Sequence, residues 1–429
     1  MIGRFTCLGS NDARNGRRWR VSSAFRHPPL SASPVIGALD GLRVVDLSRV
    51  LAGPYCTMTL GDLGADVVKV ELPEVGDETR RWGPPFAGDE SAYFLAVNRN
   101  KRGVTLDIKS EVGREILDRL LARADVLIEN FRPGTLDALG FGWDALRERY
   151  PRLIYCAISA FGQNGPYRDR PGYDFAIQAI GGLMSITGEP DGEPMKVGVA
   201  IVDVTAGLYA ATAILAALRA RERDGRGQRI DVSLFGAQLA WLINVGSGYL
   251  VSGNEPRRFG NAHPNIVPYE SFPCVDGHIA IAAGNDAQFR ALLGALGADD
   301  LAADARFGKN PGRVRNRDEL VPRLREYIGR WTRQALLAAL DAARVPCAPI
   351  NTVGEALRSD AAAALGAVIE VDHPTAGVVP MVRWPFDLSV TPASARRPPP
   401  TLGGDTDTVL SELGFTAERI AELRAAKVI

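Results

Sequence analysis

Short apolar runs rich in β-branched residues alternate with helix-length segments from residue 42 onward. Leu42–Leu47 and Asp66–Leu72 have the composition of buried strands, and Val50–Leu63 between them has helix-like apolar spacing that stops at Gly64. Strands separated by helices of this length predict a parallel sheet with right-handed crossovers. We therefore expect an α/β fold.

The alternation of strands and helices continues to about residue 250, where the composition of the chain changes. Further strands are predicted at Val104–Ile108, Val126–Phe131, Leu153–Ile158 and Arg229–Leu234, and helices at Glu111–Ala124, around Leu136–Arg149 and at Val204–Ala220. Ser252–Pro268 is rich in Gly, Asn and Pro, which is typical of a linker or a functional loop. A strand at His278–Ala283 and several helices follow, Val345–Ile350 is a Pro-punctuated return, and two short helices close the chain.

The first 35 residues differ from the rest of the chain. They hold six arginines against a single acid, Asp12, and they have no apolar core of the kind a secretory signal needs. This composition predicts either a disordered extension or a mitochondrial transit peptide, and the sequence leaves both open.

Composition excludes several classes of protein. The 50 basic and 50 acidic residues cancel, so no net field favours nucleic acid or an anionic membrane. No stretch offers the ~20 apolar residues of a membrane span. The five cysteines are scattered and form no CxxC pair, so we predict neither a disulfide scaffold nor a metal site. These features predict a cytoplasmic protein, with the mitochondrial matrix as the alternative if residues 1–35 are a transit peptide.

The expected α/β core lacks the motifs of several common chemistries. Ser48–Pro54 follows the first strand without a GxGxxG pattern, and the chain contains neither a Walker A loop nor a GxSxG elbow. No histidine lies between residues 28 and 262, which excludes a histidine-based triad there. Chemistry in this core must use carboxylates, arginine, tyrosine, amides or cysteine.

Several sequence blocks together resemble the class III CoA-transferases, the family of formyl-CoA, carnitine and bile-acid CoA-transferases and of α-methylacyl-CoA racemases. The similar blocks occur in the family's order and cover residues ~38–429. They are Leu39–Pro54, Gly64–Glu71, Asn100–Arg102, Glu129–Gly134, Pro171–Asp174, Gly225–Gln228 and Pro400–Gly414.

The resemblance implies a large doubly wound, Rossmann-like domain built from both chain ends, a smaller α+β domain between them, and an interlocked homodimer. With residues 1–35 set aside, it implies domain bounds at 36–250 for the first part of the large domain, 251–345 for the linker and small domain, and 346–429 for the C-terminal part.

The resemblance also implies a nucleophile, Asp203, about thirty residues beyond the Gly-Tyr-Asp motif at the head of an apolar helix. Without the family, the simplest interpretation of Asp203 is a helix N-cap. The two roles are compatible, because a helix N-terminus favours an ionised carboxylate.

Positions that line the CoA groove in the family correspond here to Arg49, Ala52, Leu72, Leu106, Lys109, Asn130, Phe131, Tyr173 and Asp174. Some contacts of the formyl-CoA enzymes are replaced, and Asn261–Asn265 stands where those enzymes have a Gly-rich loop. His263 in this segment is a candidate substrate contact. These departures make the chain most similar to the branch that uses succinyl-CoA or other dicarboxylyl donors.

The function that the resemblance implies is reversible transfer of CoA from an acyl-CoA to a free carboxylic acid. The acyl-CoA is then a substrate, and no permanently bound cofactor, nucleic acid or membrane partner is expected. Two alternatives remain open from the sequence. One is a racemase with Asp174 as a base, although the histidine that precedes this position in the racemases is missing, and the other is a non-catalytic acyl-CoA-binding protein.

Overall fold

The computed structural model describes residues 36–429, so the extension predicted at residues 1–35 lies outside the described residues. The strands are β1 (Arg43–Asp46), β2 (Asp66–Glu71), β3 (Phe86–Ala87), β4 (Glu90–Ser91), β5 (Lys101–Thr105), β6 (Val126–Glu129), β7 (Ile154–Ser159), β8 (Arg229–Ser233), β9 (Tyr269–Cys274), β10 (Gly277–Ala282), β11 (Cys347–Pro349), β12 (Val368–His373) and β13 (Gly377–Val382).

The helices are α1 (Ala52–Asp62), α2 (Ala92–Ala96), α3 (Glu111–Leu121), α4 (Thr135–Ala138), α5 (Trp143–Arg149), α6 (Asp174–Ile180), α7 (Ile201–Asp224), α8 (Leu234–Ala240), α9 (Ile243–Ser252), α10 (Asp286–Leu296), α11 (Asp299–Ala303), α12 (Asn310–Arg315), α13 (Arg317–Ile328), α14 (Arg333–Ala342), α15 (Val353–Leu357), α16 (Asp360–Ala364), α17 (Thr406–Glu412) and α18 (Ala417–Ala425). Short 3-10 turns lie at Glu78–Arg81, Met184–Ile186 and Ala305–Phe307.

Six of the described strands form a parallel sheet in the order β5-β2-β1-β6-β7-β8. If the short hairpin β3–β4 is left out, this is the order 3-2-1-4-5-6 of doubly wound sheets that bind dinucleotides. Consecutive side chains point to opposite faces: Val44 packs with α1 and α7, and Val45 packs with α3, α17 and α18. The prediction of an α/β fold with a parallel sheet is confirmed.

The last two helices complete the large domain. Val409 and Leu410 of α17 and Ile420 of α18 are buried in the same core as Val45 and Val104 of the sheet. The connection is also made by the backbone, because the amide of Asp405 donates to the carbonyl of Gly103. Both ends of the described chain therefore contribute to one core.

A second, smaller core lies between these two parts of the chain. Its antiparallel sheet has the order β11-β10-β9, and helices α10, α13 and α14 cover it with Phe289, Leu324 and Leu336. The segment Val345–Ile350, expected to return the chain to the large domain, instead supplies β11, whose Ala348 pairs with Ala280. The chain thus leaves this sheet after residue 349.

Two elements of the large domain differ from their sequence-based predictions. The third main strand is β5 at Lys101–Thr105 rather than Val104–Ile108. The prediction missed its start because Lys101 is charged, although it is fully buried in the fold. The single helix expected around Leu136–Arg149 is two short helices, α4 and α5, separated at Gly140, whose φ of 84° is left-handed.

Helix α7 is long and apolar enough to span a membrane by length and composition. In the fold it lies against α1, β7 and β8, and Ala206, Ala210 and Ile214 are buried in the core that these elements share. The apolar residues on this face of α7 are therefore explained by its central place in the large domain.

Candidate functional site

A cleft of about 320 Å³ opens at the carboxyl ends of the parallel strands. Its walls come from the loops after β1, β6 and β7 and from the start of α7. The β1–β6 boundary is the point where the strand order reverses, which is where open α/β sheets bind ligands. The cleft brings together six of the residues predicted from the sequence: Arg49, Ala52, Asn130, Phe131, Tyr173 and Asp203.

The loop after β1 is fixed by the loop after β6. The side-chain oxygen of Asn130 accepts the amide of Arg49 at 2.8 Å, and its Nδ2 donates to the carbonyl of Arg49 at 2.7 Å. Phe131 is fixed in turn, because its amide donates to Glu129 at 2.7 Å. The side chain of Asn130, which was predicted as a CoA contact, therefore holds the loop that carries Arg49.

Asp203 is the third residue of α7, because the helix begins at Ile201 and Ala200 is its N-cap. The N-cap role considered for Asp203 is therefore wrong. The capping is done instead by Asp174, at the start of α6. Its Oδ1 accepts the amides of Val202 at 2.8 Å and of Asp203 at 3.4 Å, and its Oδ2 accepts Gln178 Nε2 at 2.6 Å.

A glycine brings Asp203 close to the loop after β1. Gly207 lies one turn after Asp203 on the same face of α7, and a Cβ at this position would be 2.6 Å from the carbonyl oxygen of Ala52. Helix α7 can approach the start of α1 this closely only without a side chain at residue 207. This approach explains why Ala52 and Asp203 line one cleft.

The carboxyl group of Asp203 is desolvated and only 8% of the residue is exposed. Burial, together with the nearby charge of Asp174, raises the pKa of Asp203 to about 7. No protein group among residues 36–429 donates a hydrogen bond to the carboxylate of Asp203. Its oxygens are therefore available to a ligand in the cleft.

Because burial raises the pKa of Asp203, Asp203→Asn should stabilise the protein at alkaline pH. Well below pH 3.8 the carboxyl is protonated in both the folded and unfolded states and costs nothing. The penalty grows as the pH rises from 3.8 towards 7 and becomes constant well above 7. The gain in unfolding free energy should reach at most about 4 kcal/mol above pH 7. Calorimetric melting of both proteins from acid to alkaline pH measures it, and a gain that is independent of pH would contradict this account.

The remaining predicted residues lie elsewhere. Leu106 directly follows β5, is only 1% exposed and is packed in the core beside α3. Leu72 and Lys109 are exposed at the same sheet edge but do not line the cleft. His263 lies beside the small domain, where its Nδ1 accepts the amide of Asn265 and its ring packs on Tyr269.

Arginines that were not predicted from the sequence also line the cleft. Arg168 is paired with Asp169, whereas Arg132 and Arg170 have no carboxylate within ion-pair distance among residues 36–429. The guanidinium of Arg170 lies over the ring of Tyr167 at 5.4 Å. The available signal was the cluster Arg168–Arg170 directly before the Pro-Gly-Tyr-Asp motif, which the general arginine richness of the chain concealed.

Comparison with known proteins bears on this cleft. The model of "CoA-transferase family III" matches residues 39–406. The chain is 44% identical over 402 residues to a succinate–glutarate CoA-transferase of Agrobacterium fabrum, covering 92% of this chain and 98% of that protein. It is 41% identical over 427 residues to the human succinyl-CoA:glutarate CoA-transferase, covering 99% and 96%. The crystal structure of a CaiB/BaiF family protein from Brucella suis is 46% identical, covers 88% of this chain and 100% of that one, and has a TM-score of 0.80.

Proposed function

This chain belongs to CoA-transferase family III, and from that premise we propose that it exchanges CoA between dicarboxylic acids, with succinyl-CoA as donor and glutarate or a similar diacid as acceptor. The single observation that carries the proposal is the cleft that joins the desolvated carboxylate of Asp203 to two arginines that pair with no carboxylate in the described part of the chain. The cleft and the similar proteins both support dicarboxylic acids as the substrates.

In the proposed reaction Asp203 attacks the thioester carbonyl of the donor. The C–S bond breaks, CoA leaves as the thiolate, and an aspartyl–acyl anhydride forms. The thiolate then attacks the aspartyl carbonyl, which gives an aspartyl–CoA thioester and releases the first acid. The acceptor carboxylate reverses both steps and regenerates Asp203. Covalent catalysis by a carboxylate keeps the thioester energy throughout, so no ATP is consumed.

The free oxygens of Asp203 suit this nucleophilic role. A pKa of about 7 leaves a substantial ionised fraction at neutral pH, and no hydrogen bond from a described residue has to break before attack. The racemase alternative is less well supported, because both carboxylate oxygens of its candidate base, Asp174, accept hydrogen bonds that hold α6 and the start of α7.

The arginines support a dicarboxylate as the substrate. Once the thioester carbonyl is at Asp203, a diacid still carries a free carboxylate, which a guanidinium in the same cleft can bind by charge-assisted hydrogen bonds. Arg132 and Arg170 line this cleft, and neither is within ion-pair distance of a carboxylate of residues 36–429. We propose that one or both bind the second carboxylate.

Arg170→Gln should therefore lower kcat/KM for glutarate by about 10-fold or more, because a charge-assisted hydrogen bond to the distal carboxylate is lost. Valerate, which has the same length and no second carboxylate, should be affected much less. Arg170→Lys keeps the charge and should retain part of the preference. Arg132→Gln is tested in the same way. Equal losses for glutarate and valerate with both variants would contradict the assignment.

An apolar surface supports the interlocked homodimer. Leu208 and Tyr209 on α7 are about half exposed, and on α9 Ile243, Leu250 and Val251 are exposed by 74%, 84% and 86%. Large apolar side chains exposed in this number on a water-soluble protein indicate an interaction site. We propose that a second copy of the chain covers it.

Sedimentation equilibrium should accordingly find a dimer at micromolar concentration. Leu250→Glu should weaken the dimer, because it would bury an unpaired charge in the interface. Val390→Glu is the matched control, since Val390 is equally exposed but lies outside α7 and α9. A wild-type monomer with full activity would contradict the proposed assembly.

A further inference from the structure

Val50, on the wall of the cleft, has an unfavourable backbone conformation. Its φ of 69° lies in the left-handed region, which β-branched residues rarely adopt. Val50 stands between Arg49, which lines the cleft and pairs with Glu78 at 2.8 Å, and Leu51, the N-cap of α1. The conformation of this one residue therefore sets the direction in which the chain enters α1.

A buried ion pair holds Val50 in this conformation. The amide of Val50 donates to both carboxylate oxygens of Asp77, at 3.3 and 3.2 Å. Asp77 is fully buried, and its Oδ2 accepts Lys69 Nζ at 3.0 Å while Thr79 donates its amide and hydroxyl to Oδ1. Burial alone would raise the pKa of Asp77, but Lys69 and Thr79 lower it to about 2, so the carboxylate is ionised.

Lys69 also fixes the beginning of the same loop. Its Nζ donates to the carbonyl of Ser48 at 2.9 Å, and the side chain is fully buried on β2. The ammonium group of Lys69 thus holds Ser48 directly and Val50 through Asp77. Asn130 holds the residue between them through the backbone of Arg49. Asp77 and Lys69 do not line the cleft themselves.

We propose that Asp77, held by Lys69, is a positioning residue for CoA exchange. It stabilises the left-handed conformation of Val50 and so places Arg49 and the start of α1 against bound acyl-CoA. The proposal rests on the proposed function only in taking this cleft as the CoA site; it is independent of Asp203 as nucleophile and of the acids exchanged. Buried pairs that fix the geometry of a substrate-binding wall act through pre-organisation.

The test is a double-mutant cycle read by calorimetric CoA binding and by kcat/KM. Asp77→Asn removes the charge that holds the Val50 amide, and it should weaken CoA binding and lower kcat/KM by up to about 100-fold. Glycine adopts a left-handed conformation without restraint, so in the Val50→Gly background the same change should cost about 10-fold less. An Asp77→Asn penalty that is equal in both backgrounds would overturn the proposal.

Val50→Pro covers the case in which Asp77→Asn does not fold. Proline fixes φ near −65° and removes the amide that donates to Asp77, while Asp77, Lys69 and Asp203 remain unchanged. CoA binding should weaken by about 100-fold with the circular dichroism spectrum retained. CoA binding at the wild-type level would overturn the proposal. Failure of the proposed function would appear differently, as normal CoA binding without exchange in the wild-type protein.

Discussion

Asp203→Asn is expected to lower the rate of CoA exchange by roughly 1,000-fold or more, because an amide cannot form the anhydride that covalent catalysis requires. The substitution keeps the size and shape of the side chain. Since Asp174, rather than Asp203, caps α7, the helix start should be unaffected. Exchange between succinyl-CoA and glutarate, followed by mass spectrometry of the CoA esters, measures the effect.

Asp299→Asn provides the matched control. Asp299 is also in the first turn of a helix, α11, but lies in the small domain and is exposed. The control should exchange CoA like the wild type, and both variants should bind CoA. Near-normal turnover by Asp203→Asn would show that Asp203 is not the nucleophile.

Gly207→Ala is expected to reduce both stability and activity, although alanine is the better helix former. The added methyl group would be 2.6 Å from the carbonyl oxygen of Ala52, so α7 and α1 must move apart. Overpacking of this kind costs about 1–3 kcal/mol of unfolding free energy, and displacement of Asp203 by about 1 Å would lower kcat by about 100-fold. Denaturant unfolding and steady-state kinetics measure the two effects.

Gly294→Ala is the control for this substitution. Gly294 lies within α10, and a Cβ there meets nothing within 4 Å. The change should raise the unfolding free energy by about 0.5–1 kcal/mol, because alanine loses less backbone entropy on folding, and should leave kcat unchanged. If the two glycines respond alike, close packing of α7 on α1 is not what places Asp203.

The fold of the large domain could be predicted from local patterns in the sequence. Apolar β-branched runs and amphipathic segments alternate at the spacing of a parallel sheet, and the structure confirms the sheet. The errors occur where long-range partners override local pattern. Lys101 starts β5 because its ammonium is buried against Asp46, at 3.1 Å, and no local rule reveals that partner. The order of the strands likewise depends on contacts between distant segments.

The candidate site was predictable to a smaller extent. The resemblance to the family indicated Asp203, Arg49 and the loop after β6, and the cleft contains all three. It did not reveal that the amide of Asn130 holds the backbone of Arg49, or that Asp174 caps α7, because a sequence shows residue types and not their partners. The positive φ of Val50 was also hidden, since valine is among the last residues expected to adopt it.

The central claim is that Asp203 carries the acyl group and then CoA, and trapping with hydroxylamine tests it most directly. Protein incubated with succinyl-CoA and hydroxylamine should be converted to the hydroxamate at Asp203, because both the anhydride and the aspartyl–CoA thioester react with this nucleophile. Peptide mass spectrometry locates the product, and protein given free succinate in place of succinyl-CoA should remain unmodified. Hydroxamate at Asp174, or no modified residue in an enzyme that exchanges CoA, would contradict the account.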